Sequence, residues 1–136
     1  MSLQRIRIEF IDHEQQSYST SGDWKFLPSQ EDPDMLVVYV SSMGDLDMQL
    51  CVAIHELIEA RLCMKDKIKE SDVTDFDIAY EEKRPRDDYS EPGNDPDAPY
   101  HEQHLVATEV EEKVADALEV NWRLYAEKIN QLSKEG

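Results

Sequence analysis

At 136 residues and 40% hydrophobic content, the chain is long enough for one domain to bury a core without disulfide or metal staples. Its 14 basic residues against 31 acidic ones leave a net charge of −17 at pH 7. That balance argues against binding nucleic acid through its phosphates or docking on an anionic membrane, because both need clustered Lys and Arg. It suits a peptide or basic protein partner, or a cation site.

No apolar run approaches the ~18 residues of a membrane span, and the N-terminus lacks the apolar stretch of a signal peptide, so a cytoplasmic chain is expected. Met1-Ser2-Leu3 and Glu135-Gly136 read as residues carried over from expression, leaving 4–133 as a single domain.

Arg5 to Ile11 alternates, with Ile6, Ile8 and Phe10 on one face and Arg7 and Glu9 on the other. That period of two predicts a half-buried strand. Gln15 to Thr20 could pair with it as a weaker strand, Ser21-Gly22-Asp23 reads as a turn, and Trp24, Phe26 and Leu27 form a short apolar patch. Pro28 to Asp34 is a loop. Met35 to Ser41, rich in Val and Tyr, is the clearest strand.

Asp45 or Asp47 then caps a helix reaching Lys65, with Leu50, Cys51, Ile54, Leu57, Ile58 and Leu62 at helical spacing. Cys51 and Cys63 fall on this helix about 18 Å apart, too far for a disulfide, so both are expected as buried thiols. A second helix starts at Ser71 or Asp72 and ends near Arg84. Pro85 to Pro99 holds four prolines and is an irregular loop; its acids Asp87, Asp88, Glu91, Asp95 and Asp97 are expected to border a site. Asp97-Ala98-Pro99 opens a last helix from Tyr100 to Gln131, with a break near Asn121 and an inward stripe of Ala107, Val110, Val114, Ala117, Leu118, Trp122 and Tyr125. The expected architecture is α+β: a small, mainly antiparallel N-terminal sheet packed on three helices.

The chemistry concentrates in Val52-Ala53-Ile54-His55-Glu56-Leu57-Ile58-Glu59-Ala60. Residues four apart stack on one helix face, so His55 and Glu59 can address one point, and Glu56 lies about 100° round the helix. Imidazole and carboxylate are both ligands for a divalent transition metal. Of the chain's four histidines, His13 sits at a strand end and is incidental. His101 and His104 are neighbours on one face of the last helix, and His104 extends its inward stripe backwards. The candidate metal ligands are therefore His55, Glu59 and His104, or His101 in place of His104. Three protein ligands with an open position describe a catalytic zinc site, whereas both histidines together would close it. Glu56 is the candidate catalytic base, taking a proton from a water that the metal activates. Ligating atoms of such a set should lie roughly 3–4 Å apart.

The His55-Glu56-Leu57-Ile58-Glu59 motif resembles the H-E-x-x-H motif of the zinc hydrolases with the second His replaced by Glu. A strand, Met35–Ser41, followed by this helix is similar to the minimal zincin fold, which implies an edge strand that holds extended peptide above the active helix. I-H-E-L-I-E-A, F-D, the E-P-G-N-D-P loop and Y-H-E-Q-H together resemble small proteins of bacteriophages and prophages over most of residues 4–130, a likeness that implies no activity. The Glu at position 59 favours harder cations than a His would.

Two other readings compete. Glu56-Leu57-Ile58-Glu59 also matches half of the magnesium site of MazG-type nucleotide pyrophosphohydrolases, for which Glu109, Glu112 and Asp116 would have to supply the other half. A non-catalytic acidic protein, acting as a DNA mimic or an assembly factor, would instead display its carboxylates on an exposed face.

Overall fold

The computed structural model describes residues 3–85, 88 and 90–135, the last three by backbone alone. Met1, Ser2 and Gly136, read above as carried over, and Asp87 of the acidic loop lie outside the described residues; Leu3 packs against the core. Strands β1 (Arg5–Ile11), β2 (Gly22–Leu27) and β3 (Met35–Ser41) form one sheet in the order β1-β3-β2. The helices are α1 (Leu46–Lys65), α2 (Glu70–Lys83), α3 (His101–Ala117) and α4 (Trp122–Glu135). The α+β expectation holds. No helix of the described residues is long and apolar enough to cross a membrane.

The second strand is not where the sequence suggested. Gln15 to Thr20 does not form it; His13–Gln15 is a single 3₁₀ turn, and the strand begins at the expected turn residue Gly22. Burial decides this. Trp24 and Phe26 alternate inward and are 3% and 2% exposed, so the apolar patch itself becomes the strand. β3 then returns antiparallel to β2 and inserts beside β1, to which it runs parallel, making the sheet mixed. β3 is therefore the central strand rather than the edge that the zincin likeness implied. Leu36, Val37, Val38 and Val40 are all buried, which is why the strand reads as a continuous apolar run.

α1 packs on β2 and β3 and carries α3 against it. Asp45 is its cap, accepting from Met48 N–H at 3.0 Å. Its buried face is centred on Cys51, Val52, Ala53, His55, Glu59, Ala60 and Cys63, while Leu50, Ile54, Leu57, Ile58 and Leu62 of the expected stripe are only half-buried. The small residues allow close approach, and the large aliphatics flank it. Both cysteines are free and buried, as expected.

α3 buries His104, Ala107, Glu111 and Ala115, spaced by three and four. Val110 and Val114 are half-buried, whereas Ala117 and Leu118 are exposed because the helix stops there. The expected break divides the last helix in two. Glu119 adopts φ +59°, Val120 N–H reaches the Ala115 carbonyl, and Asn121 Oδ1 accepts from Leu124 N–H to start α4. Neither Pro99 nor Asp97 starts α3; Tyr100 occupies the cap position without a side-chain bond. Among the described residues of the Pro-rich loop, Pro92–Asn94 forms a 3₁₀ turn.

α1 closes in the same way as α3: Lys67 adopts φ +59° and Ile68 N–H bonds the Cys63 carbonyl. Both are Schellman closures with a non-glycine residue in the left-handed position, which strains a side chain there. Lys67→Gly and Glu119→Gly should therefore each raise the unfolding free energy, by about 0.5–1 kcal/mol. Urea denaturation of the two variants checks this; a loss of stability in both would contradict it.

Candidate metal centre

His55 and Glu59 project one turn apart from α1, and His104 meets them from the first turn of α3. All three are buried, at 7%, 4% and 5% exposure. Three of their atoms form a nearly equilateral triangle. His55 Nε2 lies 3.0 Å from Glu59 Oε2, His104 Nδ1 lies 3.0 Å from the same oxygen, and the two ring nitrogens are 3.1 Å apart. These are the ligands expected from the sequence, at the low end of the expected spacing. This buried group could hold a metal ion.

The remaining polar atoms of the trio are oriented from behind. His55 Nδ1 donates to Glu111 Oε1 at 2.8 Å, and Glu111 Oε2 accepts from the Tyr125 hydroxyl at 2.5 Å. Trp24 Nε1 donates to Glu59 Oε1 at 3.1 Å. His104 Nε2 lies 2.9 Å from the exposed Glu91 carboxylate, at ion-pair distance but without hydrogen-bond alignment. A carboxylate accepts and cannot donate, so Glu111 and Glu91 draw the ring protons to His55 Nδ1 and His104 Nε2. With neutral rings, His55 Nε2, His104 Nδ1 and Glu59 Oε2 are then three acceptors facing one another with no donor among them. A cation must enter the triangle, either a proton on a ring or a metal ion.

Electrostatics agree with that frustration. Burial opposes charge on His104, but Glu59 and Glu91 outweigh it and raise its pKa to about 9. Burial opposes charge on His55 too, yet Glu111 and Glu59 hold its pKa well above the usual value. Glu59 is lowered to about 2 despite its burial, by His104 and His55, so it is ionised.

Glu56 lines the same cavity, of about 350 Å³, together with His55, Glu59 and His104. Burial, then the nearby Glu59, raises its pKa well above the ordinary range. Two glycines let backbone approach these side chains. A Cβ on Gly22 of β2 would stand 2.7 Å from Glu56 Cγ, and one on Gly93 would stand 2.3 Å from His104 Cγ. His101 is not in the cluster. Its Nδ1 donates to the Gly93 carbonyl at 2.9 Å, fixing the turn that covers His104. His13 also stands apart, 2.9 Å from Ser41 Oγ.

The acidic loop borders the site through Glu91 and Gly93, while Asp88, Asp95 and Asp97 do not line the cavity. Glu109, Glu112 and Asp116 are exposed on α3 and do not line the cavity. Sequence reasoning missed Trp24, Glu91, Gly93, Glu111 and Tyr125 as supports. Glu111 carried a signal: it follows His104 by two helical turns on one face. Trp24 carried none, since only the sheet brings it to Glu59.

Gly93→Ala should displace His104 and weaken zinc binding at least about tenfold, a typical loss for residues that orient a ligand, with little change in circular dichroism. Calorimetric zinc titration reads it, and unchanged affinity would contradict the close packing. A pH dependence also follows. In metal-free protein the raised pKa values of His104 and His55 stabilise the fold fully below about pH 6.5, where unfolded histidine is also charged. That contribution is lost as pH rises through about 9. Metal requires neutral rings, so the Tm gap between zinc-loaded and metal-free protein should widen from pH 6.5 to 9. A gap that stays constant or narrows would contradict the protonated pair.

Comparison with protein-family models, curated proteins and solved structures finds no match for this chain. The chemistry is therefore read from the geometry of the site itself.

Proposed function

We propose that this chain binds a divalent transition metal, zinc first among them, through His55 Nε2, Glu59 Oε2 and His104 Nδ1, and acts as a peptidase-like hydrolase. The observation that carries the reading is the triangle of acceptor atoms 3.0–3.1 Å apart. A tetrahedral site with bonds of about 2.0–2.2 Å has edges of roughly 3.3–3.6 Å, so the atoms need to separate by only a few tenths of an ångström.

The departure from H-E-x-x-H is compensated across the fold. The zinc peptidases use two imidazoles and one carboxylate. Here the motif supplies one of each, and α3 supplies the second imidazole where a carboxylate would otherwise serve. The donor set is unchanged; only the positions of His and Glu are exchanged. When bound, zinc supplies Lewis acidity and lowers the pKa of a water in its open position.

Glu56 adjoins His55 and faces the same cavity, where burial and then Glu59 raise its pKa, which makes the ionised carboxylate a stronger proton acceptor. Trp24, Glu111 and Tyr125 hold the ligands in register. The wall also carries Asp23, Asp77, Glu81 and Glu91, and Arg84 is the one Lys or Arg among the described residues lining it. That field favours neutral or cationic groups over phosphates, supporting amide rather than nucleotide hydrolysis. Substrate does not enter by strand addition to β2, because Asp23 Oδ1 and Glu70 Oε2 already accept from Trp24 and Phe26 N–H.

Protein purified without chelator should carry one equivalent of metal by elemental analysis. His55→Ala and His104→Ala should each lower zinc affinity by at least about 100-fold, since each removes a direct ligand. Glu56→Gln should keep the metal and abolish hydrolysis of a peptide library. Loss of metal from Glu56→Gln as complete as from His55→Ala would make Glu56 a ligand and remove the base. Magnesium-dependent nucleotide hydrolysis indifferent to His55→Ala would overturn the peptidase reading.

A further inference from the structure

We propose that β1 is the pairing edge of a symmetric dimer, in which two copies join their β1 strands antiparallel about Ile8 to make a continuous six-stranded sheet. The inference is independent of the metal site.

β1 is an edge strand that no strand of the described residues covers. Its side chains Ile6, Ile8 and Phe10 are 56%, 41% and 40% exposed, although their register partners Leu36, Val38 and Val40 on the same face are buried. α1 covers β2 and β3 on the sheet, so the apolar face continues past the core onto β1. Three alternate large apolar residues on an open edge are a template for another strand.

The backbone points the same way. Arg5 N–H donates to the Asp34 carbonyl and Ser42 N–H to the Ile11 carbonyl. With the parallel register, this turns the backbone groups of Arg5, Arg7, Glu9 and Ile11 towards β3. Those of Ile6, Ile8 and Phe10 face away, and among the described residues no side chain caps them. The opposite edge is treated differently, since the outward N–H groups of Trp24 and Phe26 on β2 are taken by Asp23 and Glu70. β1 has no such protection, and its ladder to β3 runs unbroken over all seven residues.

The occupant that fits is a second copy. An antiparallel pair centred on Ile8 places Ile8 opposite Ile8 and Ile6 opposite Phe10, and these are the residues whose backbone groups are free to bond. On the other face Arg7 falls opposite Glu9 of the partner, twice by symmetry, in the non-hydrogen-bonded positions where side chains come closest. On a chain of net charge −17, a self-complementary Arg/Glu arrangement at the exposed edge counters the repulsion between copies. Apolar face, backbone and charge are satisfied by one two-fold axis.

Sedimentation equilibrium across protein concentration tests it. The wild-type chain should dimerise. Arg7→Glu or Glu9→Arg, each setting like charges opposite twice, should raise the dimer Kd about tenfold, and the double variant should restore it. Ile8→Cys should form a disulfide-linked dimer on mild oxidation, because directly opposed residues have Cα atoms about 5.5 Å apart. Ile6→Cys should not link to itself but should link to Phe10→Cys in a mixture. A monomer at all concentrations would overturn the proposal and leave the edge to a different partner. So would a dimer indifferent to the charge exchange, or one that Ile8→Cys cannot trap.

Discussion

Three acceptor atoms meeting at one buried point are the constraint on which the rest of this structure depends. His55 Nε2, His104 Nδ1 and Glu59 Oε2 face each other at 3.0–3.1 Å, an arrangement that is unfavourable until a cation occupies it. To hold it, α3 must cross α1 at the level of His55, the loop must bring Gly93 onto the His104 ring, and β2 must deliver the Trp24 indole to Glu59. Two glycines belong to the same requirement: Gly93 lets the loop backbone approach the His104 ring, and Gly22 lets β2 approach Glu56.

The electrostatic consequence is a carboxylate-rich interior. Asp23, Glu59, Asp77 and Glu111 are all buried, and burying unpaired charge is strongly destabilising. Each acid is answered locally. Asp77 accepts from the hydroxyls of Tyr18 and Tyr100, and burial still raises its pKa to about 7. Glu111 accepts from Tyr125 and His55, and Asp23 accepts from its neighbour Trp24 N–H while burial raises it to about 6. A fold under selection for stability alone would fill this space with apolar groups. Keeping it polar, and around one convergent point, is what a site for a cation requires. The −17 charge is thus partly an interior property rather than only a solvated surface.

Much of this was legible in the sequence because helical spacing is a strong geometric statement. His55 and Glu59 had to share a face, and His104 extended a buried stripe, so their convergence needed only that these two faces meet. The strand at β3 and the helix at α1 were legible, but the face that α1 buries was not, because its small residues pack while Leu50, Ile54, Leu57, Ile58 and Leu62 flank them. The register of the first half was harder to read. Trp24 and Phe26 form a strand because they fill the core under α1, a tertiary reason with no local signature, while Gln15 to Thr20 offered β-compatible residues with nothing to bury. The stripe of the last helix was misjudged at Ala117, Leu118 and Trp122, though Tyr125 is buried as expected, for a similar reason. A Schellman closure at Glu119 resets the helical phase, and a non-glycine residue in that conformation gives no warning. His101 shows the limit of spacing arguments: it sits correctly for the metal but is committed to the Gly93 carbonyl, which only the folded loop reveals.

The central claim is that two particular ring nitrogens and one carboxylate oxygen bind the metal, and nitrogen-15 NMR of the four imidazole rings tests it most directly. On addition of one equivalent of zinc to the intact chain, His55 should become coordinated through Nε2 while keeping its proton on Nδ1 towards Glu111. His104 should become coordinated through Nδ1 with its proton on Nε2, and the His13 and His101 ring signals should stay in place. Zinc that shifts His13 or His101 while leaving the His55 and His104 nitrogens unchanged would contradict the account.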